Sequence, residues 1–159
     1  MNYSLIEVFF LMYEVGKWMN NKHEVFIISN LDKFARGIKM GEQVFSLFLQ
    51  KAKNDNVKDE INKIIISFQS HQKSLGLEVE TNTLDSMCLF FEKMKIMPIE
   101  NDFQLCKEMT KAELMGIHRA LAFLYENKTI EDNIRQIIEG IISDYDNQMK
   151  KLILLMKSL

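Results

Sequence analysis

The chain has one proline, Pro98, and only six glycines in 159 residues. So few turn-forming residues leave little room for turn-rich β structure, and the expected class is all-α. With 47% hydrophobic residues and 26% charged, disorder is disfavoured as well. Cysteine is scarce. Cys88 and Cys106 form no Cys-x-x-Cys pair and have no histidine between them, which argues against a zinc site or a disulfide framework and for two reduced thiols in a cytoplasmic protein. Arginine occurs only at Arg36, Arg119 and Arg135, and the net charge is -2, so no basic field is present to draw the protein onto nucleic acid. No Gly-rich loop stands between a strand and a helix to cradle phosphate, and no glycine-framed serine or Cys–His spacing supports nucleophilic catalysis. The most apolar run, Leu5 to Tyr13, contains Glu7, is followed by Glu14, lacks a basic leader and is too short to span a bilayer. Abundant Ile, Lys and Asn suggest a low-GC bacterial genome.

What is present is a repeat. Gly37-Ile38-Lys39-Met40-Gly41-Glu42 returns, altered, as Glu113-Leu114-Met115-Gly116-Ile117-His118, and Phe-Leu follows the aligned glycine by seven residues at Phe48-Leu49 and Phe123-Leu124. After each copy a polar break leads into a second helix, beginning Lys58-Asp59-Glu60-Ile61 or Glu131-Asp132-Asn133-Ile134. One helical hairpin is therefore written twice, predicting a single domain over 1–159. An N-terminal helix and connector occupy 1–29, the first hairpin 30–76, a crossover 77–104 and the second hairpin 105–159. Ser4 to Met19 is apolar nearly all round the helical wheel, which predicts burial on more than one side, across the other helices or in a subunit interface. In the first hairpin Ile38, Phe45, Phe48 and Ala52, then Val57, Ile61, Ile64, Phe68, His71 and Leu75, recur at spacings of three and four. Gly76 should end that hairpin. The crossover should hold a short helix covering the bundle with Leu84, Met87, Cys88, Phe90, Phe91, Met94 and Met97. The third helix is predicted from about Leu105 with Met109, Glu113 and Gly116 inward. The fourth, capped by Thr129 or Asn127, places Ile138, Ile141, Tyr145, Met149 and Leu152 inward.

Two unlike hairpins joined by a long crossover are the design of ferritin-like bundles. Through Gly37-Ile38-x-Met40-Gly41, Lys58-x-Glu60-Ile61, His71 and Glu113-x-Met115-Gly116-Ile117, the chain resembles small bacterial ferritin-like proteins of unassigned function, over roughly Leu31 to Met156. The resemblance implies a di-iron pattern: a Glu from the first and third helices and a Glu-x-x-His from the second and fourth. Glu42 then matches the first ligand and His71 the second helix's histidine. Phe68, Ile117 and Ile141 replace carboxylates, and Asp144 replaces the last histidine, so an oxidase or storage site of the usual type is not expected.

Glu42, His71, Glu113 and Asp144 remain as polar groups on or beside inward stripes. They either satisfy one another or reach solvent through a loosely packed end, with no metal, or converge on one divalent ion such as iron. His118 is expected at the surface. The first expectation is a non-enzymatic structural or interaction protein with no cofactor that self-associates, in the simplest case as a dimer. The alternatives are a divalent-metal protein using those four residues, and a carrier of an apolar ligand or partner helix using Met87, Phe90, Phe91, Met94 and Met97.

Overall fold

A computed structural model describes residues 30–76, 79 and 83–159, the side chains of 83 and 84 excepted. The apolar helix expected between Ser4 and Met19 lies outside the described residues. Among those described the fold is all-α, with five helices and no strand.

Helix α1, Asn30–Lys51, buries Ala35, Ile38, Phe45 and Phe48 along one stripe, with Asp32 in its first turn and Lys51 in its last to complement the helix dipole. Helix α2, Asp55–Leu75, starts at Asn54, whose side chain accepts from the backbone N–H groups of Asn56 and Val57. It stops at Gly76, which adopts φ 65°, a left-handed conformation that costs glycine little, and donates its N–H to the Lys73 carbonyl. Helix α3 spans Thr83–Ile96. Helix α4, Asp102–Glu126, begins three residues before the sequence placed it, because the Asn101 side chain accepts from Gln104 N–H and fixes the first turn there. Helix α5 spans Asp132–Met156 and has no side-chain cap at Glu131, so neither Thr129 nor Asn127 caps it. Asn127 closes α4 instead: its backbone N–H donates to the Phe123 carbonyl at 3.0 Å and its side-chain amide to the same oxygen at 2.8 Å.

Helices α1 and α2 form one hairpin and α4 and α5 the other, with α1 also packed on α4 and α2 on α5. Contacts at the two ends fix the directions. The Asp102 carboxylate at the start of α4 accepts from the backbone N–H groups of Lys53, at 3.0 Å, and Asn54, at 2.7 Å, in the α1–α2 turn. At the opposite end the Asn30 side chain donates to Asn127 Oδ1 at 3.0 Å. Each of the four long helices thus runs antiparallel to both of its neighbours. The segment from Gly76 to Asn101 must travel the length of α1, whose 22 residues span about 33 Å. The main core gathers Phe45, Phe48, Val57, Ile61, Ile64, Leu105, Met109, Ile141 and Leu152. A smaller cluster of Ala120, Phe123 and Ile138 sits towards the Asn30 end, where the Phe34 and Phe123 rings lie 5.2 Å apart.

Three inward assignments change. Helix α3 lies on α1, yet Met87, Phe90, Phe91, Met94 and Met97 are exposed, while Glu92 and Ile96 are buried. Its inward positions recur as Asp85, Cys88, Glu92 and Ile96, and the face is fixed by an Arg36–Asp85 ion pair at 3.3 Å and by Lys95, which holds Glu92 at 3.2 Å. In α5 Gln148 is buried where Met149 was expected. Asp144 is exposed rather than inward.

Candidate functional site

Between α1 and α4 lies a cavity of about 550 Å³, within the size range of small-molecule sites. Two of the glycines that line it each make room for an aromatic ring. A Cβ on Gly41 would stand 2.6 Å from the Phe68 ring, and one on Gly116 would stand 2.7 Å from the Tyr145 ring. The two rings reach under α1 and α4 from α2 and α5 and line the cavity together with Ile38, Phe45, Phe48 and Phe123. Aromatic packing is continuous there, with centroids 5.4 Å apart for Phe45–Phe68 and 5.6 Å for Phe68–Tyr145.

Among the polar groups of the lining, Glu113 is the most deeply buried. Glu113 lines the cavity, is 1% exposed, and neither carboxylate oxygen has a hydrogen-bond partner. Burial alone pushes its carboxyl well above the ordinary value of 4.5 and favours the protonated form. The Tyr145 phenol is also pushed up, first by its own burial and then by the Glu113 charge, with Arg119 opposing. Glu92 enters the lining from α3, where burial raises its carboxyl, Lys95 opposes and Glu108 adds to the rise. Lys111 contacts Glu108 at 2.6 Å. The Arg119 guanidinium lies over Gly37, 3.5 Å from where a Cβ would be.

The four residues singled out from the sequence are dispersed. Glu42 accepts from Lys39 at 2.8 Å, Gln69 at 3.0 Å and Gln72 at 2.9 Å. Burial raises its carboxyl, but those hydrogen bonds outweigh burial and hold it below 4.5. His71 is buried between α2 and α5, with Nε2 2.9 Å from Asp144 Oδ2 and 3.3 Å from Ser67 Oγ. Its ring meets the Tyr145 ring edge-on at 5.7 Å. The structure therefore joins His71 to Asp144, ties Glu42 to other partners, and leaves Glu113 facing the cavity. Among the described residues no group of three or more His, Cys, Asp or Glu side chains is placed to hold a metal ion. His118 is exposed.

Sequence reasoning marked Glu113 as inward but did not find the cavity, nor Phe45, Phe68, Tyr145, Glu92 and Arg119 as its lining. The available signal was the recurrence of glycine at Gly41 and Gly116, in mid-helix positions where its helix propensity is poor. Comparison with family models, with curated proteins and with solved structures finds no match for the chain. Among the described residues no helix is long and apolar enough to cross a membrane.

Proposed function

We propose that the chain is a small-molecule binding protein on a ferritin-like bundle, with the ligand held between α1 and α4. The ferritin-like reading is supported by two hairpins, one crossover and antiparallel neighbours throughout. The binding reading rests on one observation: Glu113, 1% exposed and without a hydrogen-bond partner, is set into the wall of a mostly apolar cavity of about 550 Å³. A buried carboxyl without a partner destabilises the fold, and leucine or methionine at that position would pack better. A bound molecule that hydrogen-bonds to Glu113 removes the penalty.

The expectation of a self-associating scaffold has a counterpart among the described residues in exposed apolar side chains such as the row on α3. It is a surface without a distinctive chemical group, whereas Glu113 is a specific one. The test is titration with N-phenyl-1-naphthylamine, a neutral fluorescent probe of suitable size. Saturable one-to-one binding is expected, with loss of binding in Ala112→Phe, which fills the cavity wall. Fluorescence that rises without saturation, or that is unchanged by Ala112→Phe in a variant of intact helicity, would refute the reading.

A further inference from the structure

The cavity lining carries both acids and bases. Glu92, Glu108, Glu113 and Glu126 stand with Lys33, Lys111 and Arg119, and Lys95 holds Glu92 at 3.2 Å, whereas neither oxygen of Glu113 has a hydrogen-bond partner. Lys111 is held by Glu108 at 2.6 Å, Arg119 lies against Gly37, and Lys33 is on the exposed edge of α1. Glu113 itself has no basic side chain bonded to it, so an anionic ligand beside it would meet an acid that nothing neutralises. A neutral ligand could bond to Glu113, but an amide at that position would serve equally well. What an acid offers beyond an amide is a full negative charge, and the same cavity is lined by three aromatic rings, Phe45, Phe68 and Tyr145, a ring type whose electron-rich face attracts a positive group.

We propose, building on the small-molecule reading above, that the cavity selects a lipophilic organic monocation, whose charge is neutralised by the Glu113 carboxylate and flanked by the rings of Phe45, Phe68 and Tyr145. Binding then exchanges one cation for one proton. The Glu113 carboxylic acid loses its proton to solvent, the carboxylate pairs with the ligand, and the net charge within the cavity is unchanged. Affinity consequently rises with pH while Glu113 is protonated in the free protein, by about tenfold per pH unit at the limit. The groups that could modulate this exchange are Lys33 from α1, Glu92 from α3, Glu108, Lys111, Arg119 and Glu126 from α4, and Tyr145 from α5. Helix α2 contributes only Phe68 to the lining.

The deciding comparison uses the full chain and two isosteric probes, (1-naphthylmethyl)trimethylammonium and neutral 1-neopentylnaphthalene, which differ only in nitrogen against carbon at the branched centre. At pH 8 the cation is expected to bind at least tenfold more tightly than the neutral probe, and its affinity, unlike that of the neutral probe, is expected to rise from pH 5 to pH 8. Glu113→Gln should abolish the preference while retaining the neutral probe. Equal or tighter binding of the neutral probe by the wild-type protein, or a cation affinity that stays constant from pH 5 to pH 8, overturns cation selection and leaves the small-molecule reading standing. Failure of both probes to bind overturns both.

Discussion

The rings of Phe68 and Tyr145 lie 5.6 Å apart at 51°, and each occupies the space beside a glycine on a facing helix, Gly41 and Gly116 respectively. The repeat seen in the sequence is thus a repeat of contacts, in which an aromatic ring from one helix of each hairpin lodges against a glycine of the other.

Alanine at either glycine should therefore destabilise the protein. Forcing a ring aside costs roughly 1–3 kcal/mol, against a gain of up to about 1 kcal/mol in helix propensity. Gly140 in α5 has nothing within 4 Å of a would-be Cβ, so Gly140→Ala should stabilise by about 0.5–1 kcal/mol. Thermal melts of the three variants check this. A higher melting temperature for Gly41→Ala or Gly116→Ala would show that the rings yield without strain.

Glu113 makes stability depend on pH in a defined direction. Its carboxyl titrates above 4.5 in the folded protein because of burial, so over that window the folded state holds more protons than the unfolded one. Its contribution to stability is therefore fully present below the ordinary value and is lost as pH rises through the folded value. Glu113→Gln should remove this loss. The variant should gain melting temperature relative to wild type at pH 8 and show little of that gain at pH 4. A difference between the two proteins that is constant from pH 4 to pH 8 would contradict the buried acid.

What was legible in the sequence follows from short-range patterns. Val57, Ile61, Ile64, Phe68, His71 and Leu75 share a helical face by spacing alone, and Gly76 ends α2 through its own backbone freedom. The face of α3 differs from the one its hydrophobic residues predict, since Met87, Phe90, Phe91 and Met94 are exposed. Its contact with α1 instead uses Asp85 and Glu92, each made tolerable by a basic partner, Arg36 or Lys95, that composition does not reveal. The cavity was illegible for a different reason. Glu113 can be placed inward from its position in the heptad-like stripe, but the space in front of it is a property of α1 and α4 together with the two rings pushed in beneath them.

The thiols should be inert in the folded protein. Cys106 is fully buried, and burial first, then the charge of Asp102, push it up to about 11. Cys88 is half-buried and is also raised, by burial and then by Asp85 and Glu92. At pH 8 a maleimide should label Cys106 at least about a hundredfold more slowly than a free thiol, with full labelling only in denaturant. Rapid native labelling of Cys106, followed by mass spectrometry, would contradict its burial in the core.

Asp102 ties the second hairpin to the first. Its carboxylate reaches from the first turn of α4 to two backbone N–H groups in the α1–α2 turn, Lys53 and Asn54. Those bonds fix where α4 begins relative to the end of α1, and so set the alignment of Gly41 with Gly116 across the cavity. Hydrogen bonds to a charged group contribute more than neutral ones, but Asp102 is at the surface, so the loss in Asp102→Ala should be about 1–2 kcal/mol. Asp55 provides the control, since it too lies in the first turn of a helix and, among the described residues, pairs with Lys58, at 3.0 Å on an exposed surface. Asp55→Ala should cost less than about 0.5 kcal/mol. Urea unfolding of both variants measures the difference. Equal midpoints would mean that the turn N–H groups are as well satisfied by water as by Asp102, and that packing of the aromatic rings alone sets the register of the two hairpins.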